Sequence, residues 1–325
     1  MSYFLKGRNV NILLVDALWG AQMYKGHLAE SRNGPVIRFP SPTLIEVFEP
    51  RERVLFWPPR DANPFFHFME SLWMLNGQND LATLAHYNRR MENYSDDGVS
   101  LHGAYGHRWR YAHGFDQLPL IIKELKADPT SRRCVLSMWS PSRDLGEGLK
   151  DHPCNTHAYF DIEEGRLNLT VCNRSNDLVW GAFGANIVHF TVLQEVMAAM
   201  VGVTVGRYNV MTNNLHLYTE LGPGVKLMEE KPTHGDDPYA RGEVEPYPIV
   251  ADYETWFIEL REFMSGHDLD GPCNNPFFDE VAAPLRQSWA FHKYTDPTAA
   301  LETANRIAAT DWRRACVEWL GRRLR

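Results

Sequence analysis

The sequence predicts a single α+β domain, and three observations carry that prediction. Arg166 to Arg174 alternates strictly, with Leu167, Leu169 and Val171 on one face, which is the period of a half-buried strand. Behind Pro64, the side chains Phe65, Phe68, Leu72 and Leu75 recur at helical spacing, and Ile187 to Met200 is a longer apolar helix that breaks near Gly202. No linker and no internal repeat divides the 325 residues, so strands and helices must share one core.

Residues 9–19 are apolar enough for an opening helix or strand, and periodicity does not separate the two. Ser31-Arg32-Asn33-Gly34-Pro35 reads as a tight turn, and residues 37–48 as extended segments interrupted by Pro40 and Pro42. The helix that Pro64 opens stops at Asn76-Gly77. Glu70 lies at the edge of its apolar stripe. A buried carboxylate is costly without partners, so spacing alone makes Glu70 a rim residue before it makes it a placed functional group. Cys134–Trp139 and Thr156–Ile162 read as strands. The polar face of the alternating strand, with Asn168, Thr170, Cys172 and Arg174, suits the lining of a wet cavity. Asn213 to Tyr218 alternates as well and projects His216 and Tyr218 to one side, a geometry for gripping a sugar hydroxyl. Residues 228–247, rich in Pro, Gly and charge, read as a surface loop, and residues 250–325 as a C-terminal helical extension of the same domain.

Composition removes several classes. The chain is 44% hydrophobic with ten Trp and sixteen Phe, which provides a core. A net charge of −8 lacks the basic footprint of a general nucleic-acid binder. The five cysteines show no CxxC or Cys/His spacing, so no metal is expected. Without a signal-type apolar segment or a run of about eighteen apolar residues, the expectation is a cytoplasmic protein with no membrane partner.

The chemistry centres on Cys154. It follows Pro153 and precedes Asn155-Thr156, a strand-edge setting in which a thiol can face a cavity. The bland alternative is an inert buried cysteine. Nearby arginines would lower its pKa and make it a nucleophile. Arg132-Arg133, just ahead of a strand, can form a bidentate phosphate site or can be a solvated surface pair. Arg174 adds a third cation and Ser175 a hydroxyl, a set suited to a phosphate dianion.

Taken in order, these pieces resemble the thymidylate synthase superfamily. Ser31-Arg32-Asn33-Gly34 resembles the phosphate-binding loop. Phe68-Met69-Glu70-Ser71-Leu72-Trp73 resembles the helix of the catalytic glutamate, and Tyr105-Gly106-His107-Arg108-Trp109-Arg110 the family's Tyr-Gly-x-x-Trp-Arg segment. Arg132-Arg133 resembles the arginine pair lent by a partner subunit, Pro153-Cys154 the nucleophile, and Arg174-Ser175-Asn176-Asp177 the phosphate and folate contacts. Asn186 corresponds to the base reader and His216-x-Tyr218 to the sugar grip. The resemblance implies a homodimer, paired through the face of a large mixed sheet flanked by helices. It implies addition of Cys154 to C6 of a pyrimidine nucleotide, with 5,10-methylenetetrahydrofolate as one-carbon donor. Glu70, Tyr105 and Asp177 would be catalytic. Glu70, Trp73 and Asp177 would meet the folate. On this resemblance Glu70 changes from rim residue to functional group.

The chain departs from the synthase pattern in ways that point to the pyrimidine deoxynucleotide hydroxymethylases. Asn155 stands where synthases carry His after the nucleophile. Gly181-Ala182-Phe183-Gly184-Ala185-Asn186 lacks the synthases' proline and is one residue longer. Arg174-Ser175-Asn176-Asp177 has the hydroxymethylase form, and Leu320 to Arg325 is basic where synthases have an apolar tail. The expected reaction is therefore C5 hydroxymethylation of dUMP or dCMP, with Asn186 favouring uracil and Ser175 and Arg133 favouring a deoxyribose. Reductive methylation of dUMP is the alternative activity. A non-catalytic nucleotide- or RNA-binding relative would bind without forming an adduct at Cys154.

Overall fold

The computed structural model describes residues 2–24, 27–146, 148–220, 229, 233–266, 271–294 and 296–324. A first strand, β1 (Tyr3–Gly7), runs into α1 (Val10–Met23), which resolves the ambiguity of residues 9–19 as helix. Asn9 caps that helix, its side chain accepting from the N–H groups of Asn11 and Ile12, so the start is set by a polar residue rather than by the apolar run. Short strands β2 (Leu28–Ala29), β3 (Val36–Arg38) and β4 (Thr43–Val47) follow, interrupted at Pro40 and Pro42 as expected. Helix α2 (Pro64–Leu75) begins at Pro64 and ends at Asn76, with the Asn63 side chain capping the N–H of Phe66.

Next come α3 (Leu81–Tyr87), α4 (Tyr105–Arg110) and α5 (Gln117–Ala127), then β5 (Val135–Ser137) and α6 (Pro141–Asp144). Strands β6 (Asn155–Glu163), β7 (Arg166–Asn173) and β8 (Asn176–Asp177) lead through a wide π-helical turn, Leu178–Ala185, into α7 (Asn186–Val201). Strands β9 (Thr204–Thr212) and β10 (Leu215–Tyr218) complete the two sheets. The chain closes with α8 (Trp256–Ser265), α9 (Ala283–Lys293), α10 (Pro297–Ala304) and α11 (Thr310–Gly321).

The larger sheet is mixed and six-stranded, in the order β1-β4-β9-β7-β6-β5. Its two faces differ sharply. Leu5, Ile45, Val210, Val171, Ala158 and Leu136 point inward, where α7 packs on β7 and β9. Burying each of the large side chains among them contributes about 1.5–3 kcal/mol. The segment Leu178–Val201 is long and apolar enough to cross a membrane, but most of it is buried in this core. The other face is open. Across it the register aligns Phe4 with Leu44, Leu44 with Met211, Met211 with Cys172 and Cys172 with His157. Phe4, Tyr159 and Met211 on this face are exposed by 65%, 42% and 44%. The polar side of β7 belongs to this open face, so the expectation that it lines a cavity is corrected for Asn168, Thr170 and Cys172. Only Arg174, just past the strand, reaches the cavity described below.

The smaller sheet, β2-β3-β10-β8, carries the chain to one rim of that cavity. The C-terminal helices cover α2: Phe65 meets Trp289 and Trp319 at ring distances of 5.4 and 5.6 Å, and Phe68 meets Trp312 at 5.1 Å. Of the loop expected at 228–247, residues 228 and 230–232 lie outside the described residues. The rest has one short 3-10 turn but is not wholly superficial: Asp237 and Tyr239 are buried, and Asn9 donates to Asp237 at 2.7 Å. At the basic end, Arg322 and Arg323 both pair with Asp61, at 3.1 and 2.8 Å.

Candidate active site

Lys150, Asp151, His152 and Cys154 line a cavity of about 720 Å³, together with β3, β10 and the Ser31–Asn33 turn. The volume falls within the range of about 300–1,000 Å³ that takes drug-sized ligands. Cys154 is placed by two neighbours. The Tyr105 hydroxyl, at the start of α4, accepts the backbone N–H groups of Cys154 at 3.2 Å and Asn155 at 3.4 Å. Arg174, on the loop between β7 and β8, donates to the Pro153 and His152 carbonyls at 2.9 and 3.1 Å and brings a guanidinium nitrogen to 3.6 Å from the Cys154 sulfur. Trp139 flanks the same guanidinium, 5.8 Å from ring centre to carbon.

Electrostatically, burial outweighs the arginines. Desolvation pushes the Cys154 thiol above its ordinary value; Arg174 pulls it down, Asp151 pushes it up, and Arg32 adds a weaker pull down. The expectation that cations leave a standing thiolate is therefore corrected for this chain by itself. Asp151, three residues before the nucleophile, is also raised by burial, against the Gly103 N–H that it accepts at 2.7 Å.

The predicted substrate set gathers well. Arg32, Arg174, Ser175, Asn186, His216 and Tyr218 all line the cavity. Arg32 is held to the Lys150 carbonyl at 3.5 Å, and the His216 and Tyr218 rings meet edge-on at 5.2 Å, on the same side of β10 as expected. Asp177 lines the cavity and caps the wide turn, accepting the N–H groups of Val179 at 2.8 Å and Trp180 at 2.5 Å. Burial raises its carboxyl, opposed first by the Trp180 N–H and then by His216. Asn186 reaches the cavity despite the extra residue ahead of it. A π-helical turn holds one residue more than an α-turn, and here it absorbs the insertion, with Phe183 (φ −107°, ψ 19°) departing from helical geometry.

Other predicted residues stand apart. Glu70 is buried, which removes the rim reading, but it lies behind the cavity rather than along it. Its carboxylate is 2.9 Å from the Nε2 atom of His189, one turn along α7 from Asn186, and poorly aligned for a hydrogen bond. Trp73 is fully buried with its indole N–H on Asp80 at 3.0 Å, so it packs the core and does not reach the cavity wall, where the resemblance had placed a folate contact. Arg132 and Arg133 lie away from the cavity, exposed beside β5, with Arg133 paired to Glu124 at 2.6 Å. Sequence reasoning missed Arg38, Trp139, Asp151 and Trp180 on the cavity wall. Asp151 had a readable signal, a carboxyl three residues from the nucleophile. The others depend on how β3, the segment after β5 and the wide turn fold over.

A flat cofactor has a platform here: Trp180 is 40% exposed at the wall, braced from behind by Arg60 at 4.3 Å. For a metal, His102, Asp144 and His152 bring ligand atoms within 4.8 Å of one another. Yet Asp144 is already committed to the Arg108 guanidinium at 3.0 and 2.8 Å and to the Ser140 N–H at 2.8 Å, and a cation there would face Arg108.

Residues 64–264 match the thymidylate synthase family, and the chain belongs to it. Within that family it is 48% identical over 331 residues to the deoxyuridylate hydroxymethyltransferase of Pseudomonas phage M6, covering 98% of this chain and 94% of that one. It is 39% identical to the deoxyuridylate hydroxymethyltransferase of Bacillus phage SP01 across 78% of this chain and 67% of the relative. The thymidylate synthase of Symbiobacterium thermophilum is 32% identical across 55% of this chain and 63% of its own length.

Proposed function

We propose that this protein hydroxymethylates C5 of dUMP, consuming 5,10-methylenetetrahydrofolate and water. The observation that carries the reading is Cys154 on the wall of a roomy cavity, with a guanidinium 3.6 Å from its sulfur and Asn186, His216 and Tyr218 lining the same cavity. The hydroxymethylases that it resembles along nearly its whole length supply the choice of reaction within the family.

In this reading the dUMP phosphate settles among Arg32, Arg174 and Ser175, where it is close enough to Arg174 to share it with the thiol. His216 and Tyr218 hold the deoxyribose, and the Asn186 amide reads the uracil edge. Cys154 gives up its proton and adds to C6, which makes C5 nucleophilic. Folate contributes the one-carbon unit and would lie against Trp180. Asp177 at the cavity wall, whose carboxyl burial pushes up, and Glu70, buried behind that wall, are the groups suited to proton transfer and water placement. Tyr105 keeps the Cys154 backbone in place. Loss of the C5 proton expels tetrahydrofolate, water adds to the exocyclic methylene left on the base, and elimination of Cys154 from C6 restores the C5–C6 double bond and the free thiol.

Arg132 and Arg133 fit a second role. The open sheet face, with Phe4, Tyr159 and Met211 exposed, suits a second copy of this chain, and pairing there would carry the arginines of β5's edge toward the partner's cavity. The folate product tests the activity. Tetrahydrofolate and 5-hydroxymethyl-dUMP are expected. Dihydrofolate with dTMP would overturn the reading in favour of reductive methylation, and dUMP binding without a covalent Cys154 adduct would overturn it in favour of a non-catalytic relative.

A further inference from the structure

Behind the nucleophile the structure closes a ring of four amides. Asn155 donates to Asn186 at 3.2 Å, Asn186 to Asn176 at 3.1 Å, Asn176 to Asn173 at 3.4 Å, and Asn173 back to Asn155. Thr212 stands beside the ring, donating to Asn173 at 2.7 Å and accepting from Asn176 at 3.5 Å. All four asparagines are buried or nearly so, at 0% for Asn155, 9% for Asn186, 3% for Asn176 and 5% for Asn173. Gly181 leaves room for the ring, because a Cβ there would stand 2.4 Å from the side-chain amide oxygen of Asn176.

We infer that Asn155, Asn173 and Asn176 are positioning residues that fix which way the Asn186 amide faces, and so set the choice between uracil and cytosine. This rests on the proposed activity toward dUMP. After its two ring bonds, Asn186 has one N–H and one carbonyl lone pair left for a base. Uracil offers an acceptor (O4) beside a donor (N3–H); cytosine offers a donor (N4–H) beside an acceptor (N3). The same amide serves one or the other according to a half-turn about its last bond. Turned by itself, Asn186 would set its NH₂ against that of Asn155 and its carbonyl against that of Asn176, breaking two buried bonds. The ring therefore holds the reader in a single sense, although three of its members do not need to touch the base.

Two carboxylates on opposite sides of Asn186 separate this role from mere packing. In Asn155→Asp the ring neighbour can only accept, so Asn186 must turn its NH₂ toward it. Asn176 then turns with it and gives up its bond to Asn173, at 3.4 Å the longest of the ring. In Asn176→Asp the NH₂ of Asn186 already faces the new carboxylate and has no reason to turn. Both variants add the same charge at similar range. The test is kcat/KM for dUMP and for dCMP, each with methylenetetrahydrofolate, in the full-length protein. Asn155→Asp is expected to shift the ratio toward dCMP by about tenfold or more, with Asn176→Asp keeping the parent's preference. If Asn155→Asp does not fold, Asn155→Ala is used, and a dUMP preference narrowed by about threefold or more is expected from loss of one of the two ring bonds. An active parent with an unchanged ratio in the folded Asn155 variant overturns the ring. So does an equal shift in both Asp variants. A parent inactive on dUMP instead overturns the proposed function.

Discussion

Replacing Gly106 by alanine tests whether the nucleophile is held by helix packing. Gly106 is the second residue of α4, and a Cβ on it would lie 1.9 Å from the Met74 carbonyl oxygen and 2.4 Å from the Met74 carbonyl carbon and Cα. These are backbone atoms of α2, so no rotamer can yield. Reaching the 3.0 Å that real contacts respect from 1.9 Å requires the helices to separate by about 1.1 Å. Overpacking of this kind costs about 1–3 kcal/mol, which for a chain of this size lowers Tm by about 1.5–4.5 °C. The larger effect falls on activity, because Tyr105 moves with its neighbour and its hydroxyl carries the N–H groups of Cys154 and Asn155. A misplacement of about 1 Å at reacting groups can cost about 100-fold. Gly106→Ala is therefore expected to fold, melt a few degrees early, and lose about 100-fold in kcat/KM for dUMP. The two readouts are a thermal melt and initial rates of hydroxymethyl product. A variant that loses only stability, with kcat/KM within about threefold of the parent, would refute the account of Tyr105 as the brace of the nucleophile.

Two further outcomes follow from the same geometry. If Arg132 and Arg133 serve the partner's cavity, a Cys154→Ala chain and an Arg132→Ala/Arg133→Ala chain, each nearly inactive alone, should regain activity when refolded together, approaching one parental site per mixed dimer. Silence of the mixture in a sample shown to be dimeric would count against the shared site. The pH dependence of Cys154 alkylation, followed by peptide mass spectrometry, should have its midpoint above an ordinary thiol because burial dominates. Asp151→Asn removes a like charge and should move that midpoint down, while Arg174→Gln removes the main opposing cation and should move it up. Coincident midpoints in all three proteins would mean that neither side chain governs the thiol.

Much of this arrangement was legible in the sequence where one local rule decided the outcome. Pro64 and Asn76 bounded α2 because a missing N–H and a helix stop act within one turn. The alternation of Leu167, Leu169 and Val171 gave β7 its buried face. What alternation cannot say is what covers the opposite face, and so Asn168, Thr170 and Cys172 were assigned to a cavity when they lie on an open sheet. Residues 9–19 stayed ambiguous because their apolar run suits either period; the cap at Asn9 decides it. Among site residues, Cys154, Arg174, His216 and Tyr218 are brought together by strand pairings such as β10 with β8 and β3, and a motif in the right order can anticipate that convergence. Trp73 shows the limit. Its place in a matching segment suggested a ligand contact, but the helical stripe on which it lies faces the core, and Asp80 takes its only polar atom.

The π-helical turn between Asp177 and Asn186 has a consequence for chain length. Its extra residue is taken up locally as a widened coil, so the acid at one end and the amide at the other stay at the cavity wall. The segment behaves as a spacer with slack. Counting residues forward from Asp177 with a shorter relative as ruler would place the reader one position early, on Ala185.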